Sequence, residues 1–324
     1  GVSRQVVPDE AGTHSRTGVR GRPAPEEPGA VTNDQSFMNK HHFLLRRLHS
    51  LSGIVPIGLF LIGHLTTNSS IIWGAINGRA THAMDPELVE GVGKATAGQV
   101  GTFQHEVTFI NESVPFLILI EITLWLSIAF HSILGIYYAR TGKANTKRYE
   151  YQGNWRYTLQ RISGYVGILF IVYHVATLRW GWTWLIPGGT KWDYEYASST
   201  LAMALKGSET GDWTFLGVLV SLLYLLGVTM LVFHFANGLW TAAITWGVTI
   251  TAKAQRNWGY VCAALGAGLM AAGWGALFGF LFVDVQAAKD IEEEMLRKKS
   301  ADIVEPEAVS MIPATEHTLV AIEA

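Results

Sequence analysis

Four histidines, His64, His131, His174 and His234, are the residues whose type and placement carry the most chemistry in this sequence. Imidazole is the commonest nitrogen ligand for transition metals and the side chain that changes charge near neutral pH. All four lie in apolar stretches, where an ionisable group is costly and marks a functional interior position. Depth along the chain sorts them. His64 lies 17 residues past Arg47, about 25 Å along a helix, and His174 lies 13 past Arg161, about 20 Å. Counted from the opposite side, His131 follows Glu112 by 19 residues, about 28 Å, and His234 follows Asp212 by 22, about 33 Å. The spacing therefore predicts two pairs at two heights, His64 with His174 and His131 with His234. One imidazole on each face of an iron porphyrin is a known axial arrangement, so two b-type haems are the expected cofactors, with the four histidines as their metal ligands.

Gly135 and Gly238, each four residues after an inner histidine, share its helical face and are expected to leave room for a flat macrocycle. The remaining histidines, His14, His41, His42, His82, His105 and His317, fall in tails or connections and read as polar surface.

Histidines at matched heights need elements that cross a bilayer, and five apolar stretches are long enough to do so as helices. The first runs from about His49 through Asn68, with an uncharged continuation to Trp73. The second covers Val114 to Ala139, interrupted by Glu121. The third lies between Arg161 and Arg179 and is expected to begin near Asn154. The fourth starts at Trp213, its excess length from about Thr241 being expected along the interface or capping the bundle. The fifth runs from about Asn257 to Val283, rich in the Gly and Ala that let helices pack closely in lipid. The fold class expected is all-α: an integral membrane bundle of five transmembrane helices with two long outer connecting segments and polar tails.

Composition narrows the chemistry. A formal net charge of −2 over 324 residues gives no basic face for nucleic acid. The single cysteine, Cys262, excludes an internal disulfide, covalent haem attachment and an iron–sulfur or zinc thiolate cage. No dinucleotide fingerprint is present either. Any metal must be held mainly by histidine.

Charge places the ends. Lys40, Arg46 and Arg47 precede the first span; Arg140, Lys143, Lys147, Arg148 and Arg156 crowd the second link; Lys253 and Arg256 form the fourth. The other connections, roughly 76–112 and 181–212, carry acids and are expected to fold over the bundle as a cap. By the positive-inside rule the N-terminus is expected to be cytoplasmic and the C-terminus outside; the location expected for the chain is the cytoplasmic membrane of a prokaryote. Three regions follow: a disordered extension over 1–40, the membrane domain over 41–284, and a charged helix with its tail over 285–324. Within the last, Lys289 to Lys299 reads as a short helix with acids first and bases last, either contacting another subunit or lying in solvent.

Several segments carry a likeness to a known family: Arg-Arg-Leu-His-Ser-Leu-Ser-Gly from Arg46, Phe-Leu-Ile-Gly-His-Leu around His64, Phe-His-Ser-Ile-Leu-Gly-Ile-Tyr around His131, Asn-Trp-Arg-Tyr-Thr-Leu-Gln-Arg-Ile-Ser-Gly from Asn154, His174 with Arg179, and Phe-His-Phe-Ala-Asn-Gly-Leu-Trp from Phe233. In these the sequence resembles the cytochrome b subunit of succinate:quinone oxidoreductases, in the branch where one polypeptide carries five helices and two haems. The resemblance implies a flavoprotein and an iron–sulfur subunit on the cytoplasmic side, with membrane lipid around the chain and a higher oligomer of that heterotrimer compatible with it. Electrons would pass through the inner haem at His131 and His234, then the outer haem at His64 and His174, to or from a quinone, menaquinone or ubiquinone. The chain would be part of succinate dehydrogenase or fumarate reductase but unable to oxidise succinate alone.

Arg46, Arg47 and Arg161 are placed to pair with haem propionates or dock the iron–sulfur partner, alongside their role as inside-facing charges. His49 and Ser50 could reach a propionate or quinone, a satisfied interfacial histidine being the other reading of His49, and Arg179 is the corresponding outer candidate. Glu121, the only acid well inside a predicted helix, is a candidate proton carrier or a partner for a polar group, and Glu112 a weaker one. Some dihaem fumarate reductases have a glutamate two residues before the fourth ligand, where this chain has Val232, so their proton pathway is in doubt here. Two other readings are carried: a dihaem cytochrome b anchoring a hydrogenase or transmembrane reductase, and a transporter using the histidines as a proton relay. The absence of an inverted repeat stands against the second.

Overall fold

The structure, a computed structural model, describes residues 33–82, 84–113, 115, 117–141 and 152–310. The extension over the first 32 residues, the link bearing Lys143, Lys147 and Arg148, the tail from residue 311, and His14 and His317 lie outside the described residues. The chain divides into Gly1–His42 and a much larger unit, Phe43–Ala324, which holds the bundle.

Among the described residues every regular element is helical. The first span is composite: α1 (Asn33–Ser52), a π-helical turn (Gly53–Gly58), α2 (Leu59–Asn68) and the short α3 (Ser70–Trp73). Between it and the second span come α4 (Arg79–His82), α5 (Pro86–Val92) and α6 (Lys94–Ser113). The second and third spans are α7 (Leu117–Thr141) and α8 (Gln152–Leu178), followed by α9 (Ala197–Lys206). The fourth and fifth are α10 (Phe215–Thr245) and α11 (Ala252–Phe282), and α12 (Val285–Ser310) closes the described chain. Five of these segments are long and apolar enough to cross a membrane: Lys40–Ile76, Leu117–Thr141, Trp155–Leu178, Phe215–Thr245 and Ala252–Phe282.

Local chemistry sets the boundaries. Thr214 and Thr251 cap α10 and α11, their hydroxyls accepting from Gly217 N at 3.0 Å and Ala254 N at 3.2 Å. Asp85 caps α5 through Glu87 N at 2.9 Å, with Pro86 in the first turn where its missing N–H costs nothing. The fourth span departs from expectation at its end. Helix α10 continues through Thr241 to Thr245, and a tight turn with Gly247 at φ 75° delivers the chain directly into α11. The excess length is thus taken up as helix and turn, because the backbone at that depth satisfies its hydrogen bonds most simply by continuing the helix.

Glycine permits the close packing of α11. A methyl group at Gly273 would sit 2.6 Å from Val228 of α10, and one at Gly279 would sit 2.6 Å from Ile71 of α3. Helices α6, α9 and α12 form a cap at one end, with Ala97, Val100, Ala202, Ala288 and Ile291 in its core. Helix α12 is much longer than the short charged helix expected, and it packs on α6 and α9 within the chain. Its Glu292, fully buried, accepts from Ser198 N at 2.7 Å, Ser199 N at 3.2 Å and Ser199 Oγ at 2.5 Å. The carboxyl oxygens there satisfy orphan donors of the α9 N-terminus. The end away from the cap carries Arg46, Arg47, Arg140, Arg156 and Arg161, and is called the basic end below.

Candidate cofactor site

The bundle brings the four histidines together as two pairs across helices. Near the cap end, His64 of α2 faces His174 of α8 with ring centres 5.7 Å apart and planes at 80°. Near the basic end, His131 of α7 faces His234 of α10 at 6.0 Å and 79°. Two imidazoles bound to one metal from opposite sides, with metal–nitrogen bonds of about 2 Å, have ring centres about 6 Å apart. Both pairs meet that spacing. Among the described residues no group of three or more His, Cys, Asp or Glu is placed to hold a metal ion. Two nitrogens alone make a poor cage for a bare ion but suffice for iron whose other four positions a porphyrin fills, so the donor set fits haem.

The second ring nitrogen decides whether an imidazole can ligate. His131 Nδ1 donates to His49 O at 2.9 Å, and His234 Nδ1 donates to Gln160 O at 3.1 Å. A carbonyl has no proton to give, so the proton is fixed on Nδ1 and Nε2 is left with its lone pair. At the cap end a side-chain hydroxyl stands at the second nitrogen of one ring. Tyr224, 9% exposed, lies with its hydroxyl 3.4 Å from His174 Nδ1. Asn68 donates to His64 O at 2.8 Å and places its amide 3.5 Å from His64 Nδ1. Phe60 stacks on His64 and Phe170 on His174, with ring centres 5.3 Å and 5.8 Å apart.

Gly135 and Gly238 face the residues that flank the ligands. A methyl group at Gly135 would meet His49 Cε1 at 3.3 Å, and one at Gly238 would meet Gln160 Nε2 at 3.5 Å. They make room for the residues that hold the ligands, because a helix face four residues on is already opposite the neighbouring helix. The imidazoles themselves rest on Gly53 and Gly164, where a methyl group would come within 2.5 Å of His131 and 3.1 Å of His234. Sequence reasoning missed both, together with Ser52, Ser163, Gln160, Asn68 and Tyr224. The available signal was a repeated Ser-Gly, at 52–53 and 163–164, near the start of the two spans that carry His64 and His174.

The other candidates are scattered around these pairs. His49 stacks on His131 with ring centres 4.0 Å apart and planes at 13°, its buried Nδ1 having no hydrogen-bond partner among the described residues. Arg46 lies 5.8 Å from the Tyr138 ring centre, Arg47 lies 4.0 Å from that of Phe43, and Arg161 donates to Tyr157 Oη at 3.0 Å. Arg179 is already engaged: it donates to Glu121 at 2.7 Å, bridging α8 and α7 at the cap end. Glu121 stands in the second turn of α7, near its end rather than deep within it. Glu112 pairs with Lys299 of α12, fastening the cap.

Five candidate membrane helices around two stacked imidazole pairs define a multi-pass membrane protein organised on histidine pairs. No family model and no solved structure matches the chain. The succinate dehydrogenase cytochrome b558 subunit of Bacillus subtilis (strain 168) is 32% identical over 242 residues, covering 74% of this chain and 97% of that protein. The chain belongs to the family of succinate dehydrogenase cytochrome b subunits.

Proposed function

We propose that the chain is the membrane anchor and dihaem electron-transfer subunit of a succinate:quinone oxidoreductase. The observation that carries this reading is the ring-centre spacing of 5.7 Å and 6.0 Å in two separate pairs. Membership in a cytochrome b family supports haem b as the occupant. When bound, haem b supplies reversible one-electron chemistry at each height.

The chain's own residues hold, orient and insulate. His64 with His174 and His131 with His234 would hold the two haems; the carbonyls of His49 and Gln160 keep the Nδ1 protons of the basic-end rings, and the Tyr224 hydroxyl stands at Nδ1 of His174. Phe60 and Phe170 keep the cap-end pair dry. Two centres at two depths connect a flavoprotein and iron–sulfur partner on the cytoplasmic side to a membrane quinone. Arg46, Arg47 and Arg161, with His49 beside them, lie where they would meet the anionic haem propionates or dock that partner. Arg179, neutralised by Glu121, is better suited to bracing α7 against α8 than to binding an anion.

The test is a reduced-minus-oxidised absorption spectrum of the purified chain with haem quantification. Two b-type haems per chain are expected. One haem, or none, would sink the paired reading, and a spectrum without haem bands would favour the proton-relay alternative.

A further inference from the structure

The seat that holds the basic-end pair is built twice. In the first span His49, Ser52 and Gly53 surround His131; in the third, Gln160, Ser163 and Gly164 surround His234. In the first copy Ser52 Oγ donates to His49 O at 2.9 Å, the same carbonyl that accepts from His131 Nδ1 at 2.9 Å, and lies 3.5 Å from that nitrogen. In the second copy Ser163 Oγ donates to Gln160 O at 3.1 Å, which accepts from His234 Nδ1 at 3.1 Å, the hydroxyl and ring nitrogen being 3.2 Å apart. A serine bonding back to a carbonyl one turn earlier is ordinary in helices. A ring from a neighbouring helix sharing that carbonyl, over a glycine that leaves it space, in both halves of the chain, is not.

We propose that Ser52 and Ser163 are positioning residues that tune His131 and His234 by competing with each ring for one carbonyl. The inference rests on the reading of this pair as axial haem ligands. A carbonyl that also accepts from a hydroxyl is a weaker acceptor for the imidazole N–H. The imidazole then pushes less electron density onto the iron, which favours the reduced state. Removing the hydroxyl leaves the carbonyl to the ring alone and favours the oxidised state.

The experiment compares the full chain with Ser52→Ala, Ser163→Ala and the double variant by spectroelectrochemical titration of both haems. At a fixed potential near the midpoint, each single change is expected to raise the oxidised-to-reduced ratio of the basic-end haem roughly fivefold, the scale of one neutral hydrogen bond. The double variant should raise it further, with the cap-end haem unmoved and both haems fully bound. Ser52→Thr and Ser163→Thr, which keep the hydroxyl, should restore the wild-type ratio. A ratio unchanged or lowered at full haem content overturns the proposal, as does an equal shift of both haems or loss of haem from an alanine variant. Gly53→Ala and Gly164→Ala give a second measurement: the nearer methyl, at Gly53, should cost more basic-end haem than that at Gly164, and the reverse order overturns the duplicated seat. Wild-type protein without porphyrin would instead defeat the underlying haem reading, so the two failures are distinct.

Discussion

At the scale of single residues the histidines divide the work cleanly, because each ring has one partner across the bundle and the pairs do not share helices. His64→Ala or His174→Ala should therefore remove the cap-end haem and spare the other, while His131→Ala or His234→Ala should do the reverse. Pyridine haemochrome quantification with spectra of each centre would check this, and loss of the same haem from all four variants would contradict the pairing. Glu292 is the other residue whose environment decides its chemistry. Burial raises its pKa from 4.5 to about 7, opposed by hydrogen bonds from Ser199 and Ser198 and by the charge of Lys289. Because the folded value lies above the unfolded one, its contribution to cap stability is fully present below about pH 4.5 and is lost as the pH rises through about 7. Hydrogen exchange of α9 amides should quicken between pH 5 and pH 8 beyond the intrinsic chemical rate. In Glu292→Gln that added dependence should vanish, and its persistence would assign it elsewhere.

At the scale of elements, the π-helical turn is what keeps the two copies in phase. His64 follows His49 by 15 residues, whereas His174 follows Gln160 by 14. A π turn holds one more residue than an α turn, so Gly53–Gly58 absorbs the difference and His64 still faces α8. Deleting Val55 should convert the turn to regular α-helix and leave the cap-end haem in place. Deleting one residue between Gly164 and His174, where α8 is unbroken, should swing His174 by about 100° and abolish that haem. Equal losses from the two deletions would show that the turn does not set the register. The α7–α8 contact at the cap end is a smaller device of the same kind, built from the Arg179–Glu121 pair and the stacked Trp125 and Trp180 rings, 5.5 Å apart.

At the scale of the whole molecule, charge asymmetry and the cap imply a sidedness. The basic end carries the short link between α10 and α11, and the capped end carries the long segments, so the positive-inside rule predicts that the cap lies outside. Cys262 is the chain's single cysteine and is buried, which makes a thiol placed elsewhere a clean reporter. In intact cells a membrane-impermeant maleimide should label Glu209→Cys at the cap end and leave Lys253→Cys untouched until the membrane is opened. The opposite pattern would invert the orientation and, with it, the side on which the partners dock.

The five spans and the pairing of histidines by height were legible in the sequence because both follow from one-dimensional quantities: the length of an apolar run and the number of residues from a charged end. Membership of the family could be read there too, since its motifs are contiguous. What surrounds each ring could not. That Gly53 seats His131, that Ser52 and Ser163 share carbonyls with the rings, and that Glu292 reaches the start of α9 all depend on which faces of distant helices meet. Such contacts join residues separated by 71 to 94 positions, and rotation of a helix about its own axis, fixed only when its neighbours pack, decides them. Chain composition sets how deep a side chain lies in a membrane; only the packed bundle sets which way it looks.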